Sequence, residues 1–182
     1  MKSVRAKKKL GQHFLKDLNI ARKISETLTF ENYKKVIEIG PGMGVLTQFL
    51  IEKTKDLHLI EIDSDSVNYL KNHYKEKDFN LIEGDFLKLD FEKTFGSEPL
   101  AIIGNFPYNI STQIIFKTLE HRNQIPFFSG MFQKEVAERI CESPGSKKYG
   151  ILSVLTQLFY ETKLLFEVPL RYLDQNLKLF LL

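Results

Sequence analysis

Short apolar runs alternate along this chain with stretches of helical periodicity. Five runs are partly β-branched and of strand length: VIEIG at 36–40, LHLIEID at 57–63, FNLIEGD at 79–85, LAIIGNF at 100–106 and PFFSGMFQ at 126–133. Helices are predicted near 17–29, 44–54, 64–76, 111–120, 134–142 and 150–159, with a further strand candidate, ETKLLFEV, at 161–168. Repeated strand-helix units predict an α/β fold, a mostly parallel sheet with helices on both faces. In such folds ligands bind beyond the carboxyl ends of the strands. Four of the runs carry a polar or glycine-rich cluster at that end, EIGPGMG, IEID, EGD and GNFPY, so these clusters are expected to meet in one cleft.

Composition narrows the class. With 182 residues, 43% hydrophobic and 27% charged, the chain matches one soluble globular domain able to bury a proper core. A single cysteine, Cys141, forms neither an intramolecular disulfide nor a multi-thiolate metal site. The first residues are basic rather than signal-like, and no apolar run approaches the roughly 20 residues that cross a bilayer. A cytoplasmic protein with no metal and no membrane partner is expected.

The net charge of +3 is unevenly placed. Residues 1–35 hold ten Lys or Arg against three acids, and the remainder is slightly acidic. A basic arm attracts a phosphate backbone through counterion release; a solvated tail accounts for the charge equally well.

In EIGPGMG, glycines at 40, 42 and 44 follow a strand and precede a helix, so the turn can pass close beneath a ligand. The spacing departs from the GxGxxG of dinucleotide sites. Glu61 ends the next strand, where a carboxylate can accept a ribose hydroxyl pair, and Asp85 ends the third. Two acids and no basic residue at the turn suit a nucleoside without phosphates, and S-adenosylmethionine is such a ligand. The alternative is that the glycines only turn the chain and the acids only sit at exposed strand ends.

GNFPYNIS then reads as chemistry. The exocyclic amine of adenine is a poor nucleophile because its lone pair is delocalised. The Asn105 side-chain oxygen and the Phe106 carbonyl can each accept one of its N–H groups and favour a tetrahedral nitrogen. Pro107 fixes the turn, and Tyr108 offers a face for a base taken out of its stack. Positioning and electrostatics suffice here without a general base. On its own, the motif would be a proline turn beside a buried tyrosine.

KKLGQHFLKD, EIGPGMGVLT, IEID, EGD, GNFPYNIST and QKEVAERICESPGSKKYGILSV together resemble the small-subunit ribosomal RNA adenine dimethyltransferases, the KsgA family, from about residue 7 to about 169. The resemblance implies a Rossmann-like, class I S-adenosylmethionine-dependent methyltransferase fold. It places donor contacts at His13, Leu15, Gly40, Glu61, Asp85 and Asn105, with Asn105, Phe106, Pro107 and Tyr108 as the catalytic motif. The family usually has Asn where this chain has His13. The implied substrate is a pair of adjacent adenines near the 3′ end of small-subunit rRNA, in an immature subunit, with no obligate protein partner. Large-subunit rRNA adenine dimethyltransferases of the macrolide-resistance type share the glycine turn and NxPY motif but usually lack the KEVAERI…PGSKxYG block. A non-catalytic RNA-binding assembly factor is the alternative of another class, and Asn105–Tyr108 speak against it.

The expected layout is a basic arm over 1–16 that includes the GQHFL segment, a catalytic unit over 17–169 and an aberrant tail over 170–182, with a genuinely divergent ending as the alternative. After Pro169 the family continues into a PxPKVxSA segment, a last strand and a small helical domain, where this chain reads LRYLDQNLKLFLL. A shifted reading frame with permitted codons restores that segment, so the tail is expected to lack selected function and to leave 161–168 with an unpaired edge. His58, His73 and His121 have no metal-ligand spacing, Cys141 is expected to be packed, and Lys134, Glu135 and Arg139 begin a charged helix. Lys147 and Lys148 form a basic loop that could border an RNA cleft.

Overall fold

Strand β1 (Lys35–Ile39) serves two cores at once. Successive strand residues point to opposite faces, and Val36 joins one buried cluster while Ile37 and Ile39 join another. The same division runs through β2 (Leu57–Glu61), β4 (Leu100–Asn105) and β5 (Phe127–Gln133). Leu57, Leu59, Ala101, Ile103 and Met131 share the cluster of Val36; Ile60, Leu100, Ile102, Phe128 and Phe132 share that of Ile37. Helices α1 (Leu18–Ser25), α2 (Thr47–Leu50) and α3 (Ser64–His73) close the first face with Ile24, Leu50 and Leu70. The second is closed by α4 (Phe91–Phe95), α5 (Ser111–Glu120), α6 (Lys134–Cys141) and α7 (Ile151–Phe159), through Phe91, Ile114, Ile140 and Leu152. Each fully buried Leu, Ile or Phe contributes about 1.5–3 kcal/mol. Strands covered on both faces need nearly continuous apolar runs, as their sequences show.

The computed structural model describes Lys7 and residues 15–75, 78–168 and 177–181. With β3 (Asn80–Glu83), β6 (Lys163–Val168) and β7 (Leu177–Leu181), the sheet has the order β3-β2-β1-β4-β5-β7-β6. The first five strands are parallel, and β7 runs antiparallel to both β5 and β6. Strand order reverses between β1 and β4, which opens a crevice at their carboxyl ends. Aspartates set the helix starts: Asp17 Oδ1 accepts from the amides of Asn19 (2.8 Å) and Ile20 (3.1 Å), and Asp63 and Asp90 cap α3 and α4 in the same way.

Two elements are present that the sequence reading did not include. Helix α4 was not expected, because five residues between Asp90 and Gly96 are too few to show a helical period. The tail does not leave 161–168 unpaired: Leu177–Leu181 lies between β5 and β6, with Gly130 opposite Phe180 and Val168 opposite Leu177. The expected lack of a last strand is therefore corrected. An interior strand has backbone partners on both edges, so its place in the sheet is held by pairing and not by the alternation that LKLFLL lacks. Among the described residues no helix is long and apolar enough to cross a membrane.

Candidate active site

The glycine turn leaves β1 with Gly40, Gly42 and Gly44 all at positive φ, +67°, +56° and +79°, a conformation that a side chain disfavours. The turn rests against the loop after β4: a Cβ on Gly40 would lie 3.8 Å from Pro107 Cδ. Two of the expected clusters thus meet at the crevice. A cleft of about 830 Å³, measured with its open mouth, joins them to the ends of β2 and β3. Leu15, Gly40, Glu61, Asp85, Asn105 and Pro107 all line it.

The remaining expected residues sit differently. Phe106 lies beneath the cleft, its ring 1% exposed and stacked on Phe128 at 5.1 Å. Its seat exists because residue 130 is glycine: a Cβ there would be 1.9 Å from Phe106 Cε2. The ring pins the loop from below and leaves the Phe106 backbone at the end of β4. Tyr108 is half-buried against the cluster that contains Leu15 and is not part of the cleft lining. His13 lies outside the described residues.

Glu61, 3% exposed, accepts from the amide of Gly42 through Oε2 (3.0 Å) and from that of Asp63 through Oε1 (2.9 Å). The carboxylate thereby ties the glycine turn to the end of β2. Burial pushes its pKa up, against the pull of those amides. Asp63 in turn meets Lys7 of the basic arm at 2.5 Å, and Asp65 meets the same ammonium at 2.6 Å. Asp85 Oδ1 accepts from the Leu87 amide (3.0 Å) and starts a 3₁₀ turn, Phe86–Lys88. Lys117 of α5 fastens this turn by donating to the carbonyls of Leu87 (2.8 Å) and Leu89 (2.7 Å).

Sequence reasoning missed Glu38. It is 2% exposed in the middle of β1, lines the cleft and accepts from Thr47 Oγ1 at 2.7 Å. Burial pushes its pKa up to about 8, with the Thr47 hydrogen bond opposing and the charge of Glu61 adding to the rise. An acid inside an otherwise apolar strand was the available signal. The cleft therefore has carboxyl groups from three strands, Glu38 within β1, Glu61 at the end of β2 and Asp85 just past β3, and no lysine, arginine or histidine among the described residues lining it. Its other walls are apolar, with Leu15, Ile39, Ile60, Ile62, Phe86 and Ile110. That donor set fits a cationic nucleoside and disfavours a phosphate, so the residues present fit S-adenosylmethionine.

Elsewhere, His58 sits 2.8 Å from Asp56, His73 stacks on Tyr69 and His121 stacks on Phe91. Cys141 packs against the second core cluster. Lys148 pairs with Glu138 at 2.8 Å and Arg139 with Glu135 at 2.7 Å.

The sequence model of a family described as ribosomal RNA adenine dimethylase matches residues 3–178. The chain belongs to that family. It is 59% identical over 168 residues to a ribosomal RNA small subunit methyltransferase A from Flavobacterium johnsoniae, covering 92% of this chain and 64% of that protein. A protein of the same name from Parabacteroides distasonis is 53% identical, with 96% of this chain and 65% of the relative covered. The chain thus spans just under two thirds of the length of these relatives. Among solved structures, a dimethyladenosine transferase from Plasmodium falciparum superposes with a TM-score of 0.81 at 29% identity, over 93% of this chain and 62% of that one. The 23S rRNA methyltransferase ErmE gives 0.76 at 25% identity, over 92% and 68%. The fold is the Rossmann-like methyltransferase fold that the strand order describes.

Proposed function

We propose that the chain carries the donor site and catalytic loop of an S-adenosylmethionine-dependent enzyme that dimethylates N6 of adenines in small-subunit ribosomal RNA. Two adjacent adenines near the 3′ end, in an immature subunit in the cytoplasm, are the target. The observation that carries this reading is the acid-lined cleft that brings Gly40, Glu61 and Asp85 to one edge with Asn105 and Pro107. The catalytic unit is residues 17–169, and the arm over 1–16 gives RNA a nonspecific electrostatic hold.

S-adenosylmethionine, when bound, supplies an electrophilic methyl group on its sulfonium. Glu61 accepts hydrogen bonds from the ribose hydroxyls, while Asp85 accepts from the donor's adenine amine. His13 and Leu15 belong to the same donor site. The Asn105 side-chain oxygen and the Phe106 carbonyl accept the two N–H groups of the target amine and hold its lone pair along the line of transfer. Phe106 fixes that carbonyl through its seated ring, and Pro107 holds the turn. Tyr108 gives the flipped base a stacking surface. The proton that the methylated amine loses goes to water, so no side chain must act as a strong base.

Methylation of under-methylated small subunits tests this, with nucleoside mass spectrometry of the rRNA and the chain extended to the length of its relatives. Dimethyladenine is expected in small-subunit rRNA. Asn105→Ala should lower the rate on the order of 100-fold or more, by analogy with the loss of one oxyanion-hole donor, with RNA affinity unchanged. Product in large-subunit rRNA alone would favour the macrolide-resistance type of activity. Full activity in Asn105→Ala would remove the proposed mechanism.

A further inference from the structure

Tyr74 follows the last turn of α3 and reaches across to the glycine turn of the first strand-helix unit. Its hydroxyl donates to the Gly44 carbonyl at 2.9 Å. Its ring fills the space behind that glycine: a Cβ on Gly44 would lie 2.7 Å from both Tyr74 Cε2 and Oη. The ring is itself held, edge-on to His73 at 5.2 Å and to Phe79 at 6.2 Å, against the core cluster containing Leu46 and Leu70. Burial pushes its pKa up to about 12, with Glu38 and Tyr69 adding, so the hydroxyl remains a donor across the neutral range.

The backbone that Tyr74 grips is closely tied to the cleft. The Gly44 carbonyl also accepts from the Gln48 amide (3.1 Å), and the Gly44 amide donates to the Pro41 carbonyl (2.9 Å). Two residues earlier, the Gly42 amide donates to Glu61 Oε2 at 3.0 Å. Tyr74 does not line the cleft, whereas Pro41, Gly42, Met43 and Glu61 do. We propose that Tyr74 is a positioning residue for the donor site: it wedges the glycine turn forward and sets how far Gly42 and Glu61 reach toward the methyl donor. The requirement for glycine at 44 then has a second cause besides its positive φ, namely the tyrosine ring behind it. This inference rests on the donor-site reading above.

The test is calorimetric titration of the 182-residue chain with S-adenosylmethionine, alongside its melting temperature without ligand. Tyr74→Phe keeps the wedge and loses one hydrogen bond, so the dissociation constant should rise roughly 3- to 10-fold. Tyr74→Ala removes both and should weaken binding further, with the binding stoichiometry unchanged. Gly44→Ala should bind worst, and Gly44→Ala combined with Tyr74→Ala should bind better than Gly44→Ala alone. In methyl transfer, the donor KM of Tyr74→Phe should rise while kcat at saturating donor changes less than about twofold. A residue that only stabilises the fold would lower the melting temperature and the bound fraction, with the dissociation constant unchanged. Wild-type affinity in both Tyr74→Phe and Tyr74→Ala, or no recovery in the double variant, would overturn the inference and leave the donor site standing. A wild-type chain that binds no donor would overturn the donor reading and this inference with it.

Discussion

Glu61 accepts one backbone amide on each carboxylate oxygen and still faces the cleft, so its charge both shapes the glycine turn and is available to a ligand. Glu61→Ala should therefore weaken S-adenosylmethionine binding by about 1–3 kcal/mol, as the loss of a charged hydrogen-bond partner does. Equal affinities by calorimetry would exclude the assigned role. Glu38 makes a pH prediction. Its pKa rises from 4.5 to about 8 in the fold, so between those values the native chain holds a proton that the unfolded chain has released. Stability then falls as pH rises through that window. The melting temperature of the donor-free chain should drop between pH 5 and pH 8, and Glu38→Gln should flatten the slope; an identical slope in the variant contradicts the assignment. Gly40, Glu61, Asp85 and Asn105 were legible in the sequence because each stands at the end of an apolar run. Glu38 and Tyr74 were not, since what gives them a role is a partner elsewhere: Thr47 for one, and for the other Gly44 in a different strand-helix unit.

Strand β5 supports the site without lining the cleft. Gly130 leaves the space in which the Phe106 ring sits, and Phe128 and Phe132 complete that seat, with ring centroids 5.1 and 5.0 Å from it. Gly130→Ala would drive a methyl group into the ring and shift the loop that carries Asn105. A loss of about 1–3 kcal/mol in stability is expected from such overpacking, with methyl transfer falling more steeply than donor binding. Unchanged melting and activity would show that the seat has slack. The parallel strands and most helices follow from their hydrophobic periods, within a few residues at each end. Helix α2 is shorter than expected, Thr47–Leu50 in place of 44–54, because the glycine turn takes up its first residues. Helix α4 is too short to show a period, and β7 lacked the alternation by which a half-exposed strand is recognised. Its place depends on the open edges of β5 and β6, which no local pattern encodes.

Across the whole molecule, positive charge is concentrated in the first 35 residues, and the donor cleft among the described residues is lined only by acids and uncharged groups. In the proposed function, RNA attraction therefore falls to the basic first segment of the sequence and donor binding to the acidic cleft. RNA affinity should fall steeply with salt and should weaken on removal of residues 1–6, while donor affinity should barely respond to salt; a salt-independent RNA affinity would exclude the arm as the electrostatic contact. The position of β1 has a consequence for the chain as it is being made. Its partner on one side is β2, but on the other it is β4, so Lys35 waits for Leu100 to be synthesised before that edge can close. At roughly 5–20 residues per second the wait is on the order of 3–13 s. During it, the central strand has an open apolar edge of the kind to which a chaperone or a neighbouring nascent chain can add. The glycine turn and Asn105 line one cleft only afterwards, so no shorter nascent intermediate has that cleft assembled, and the proposed chemistry must wait until more than half of the chain is present.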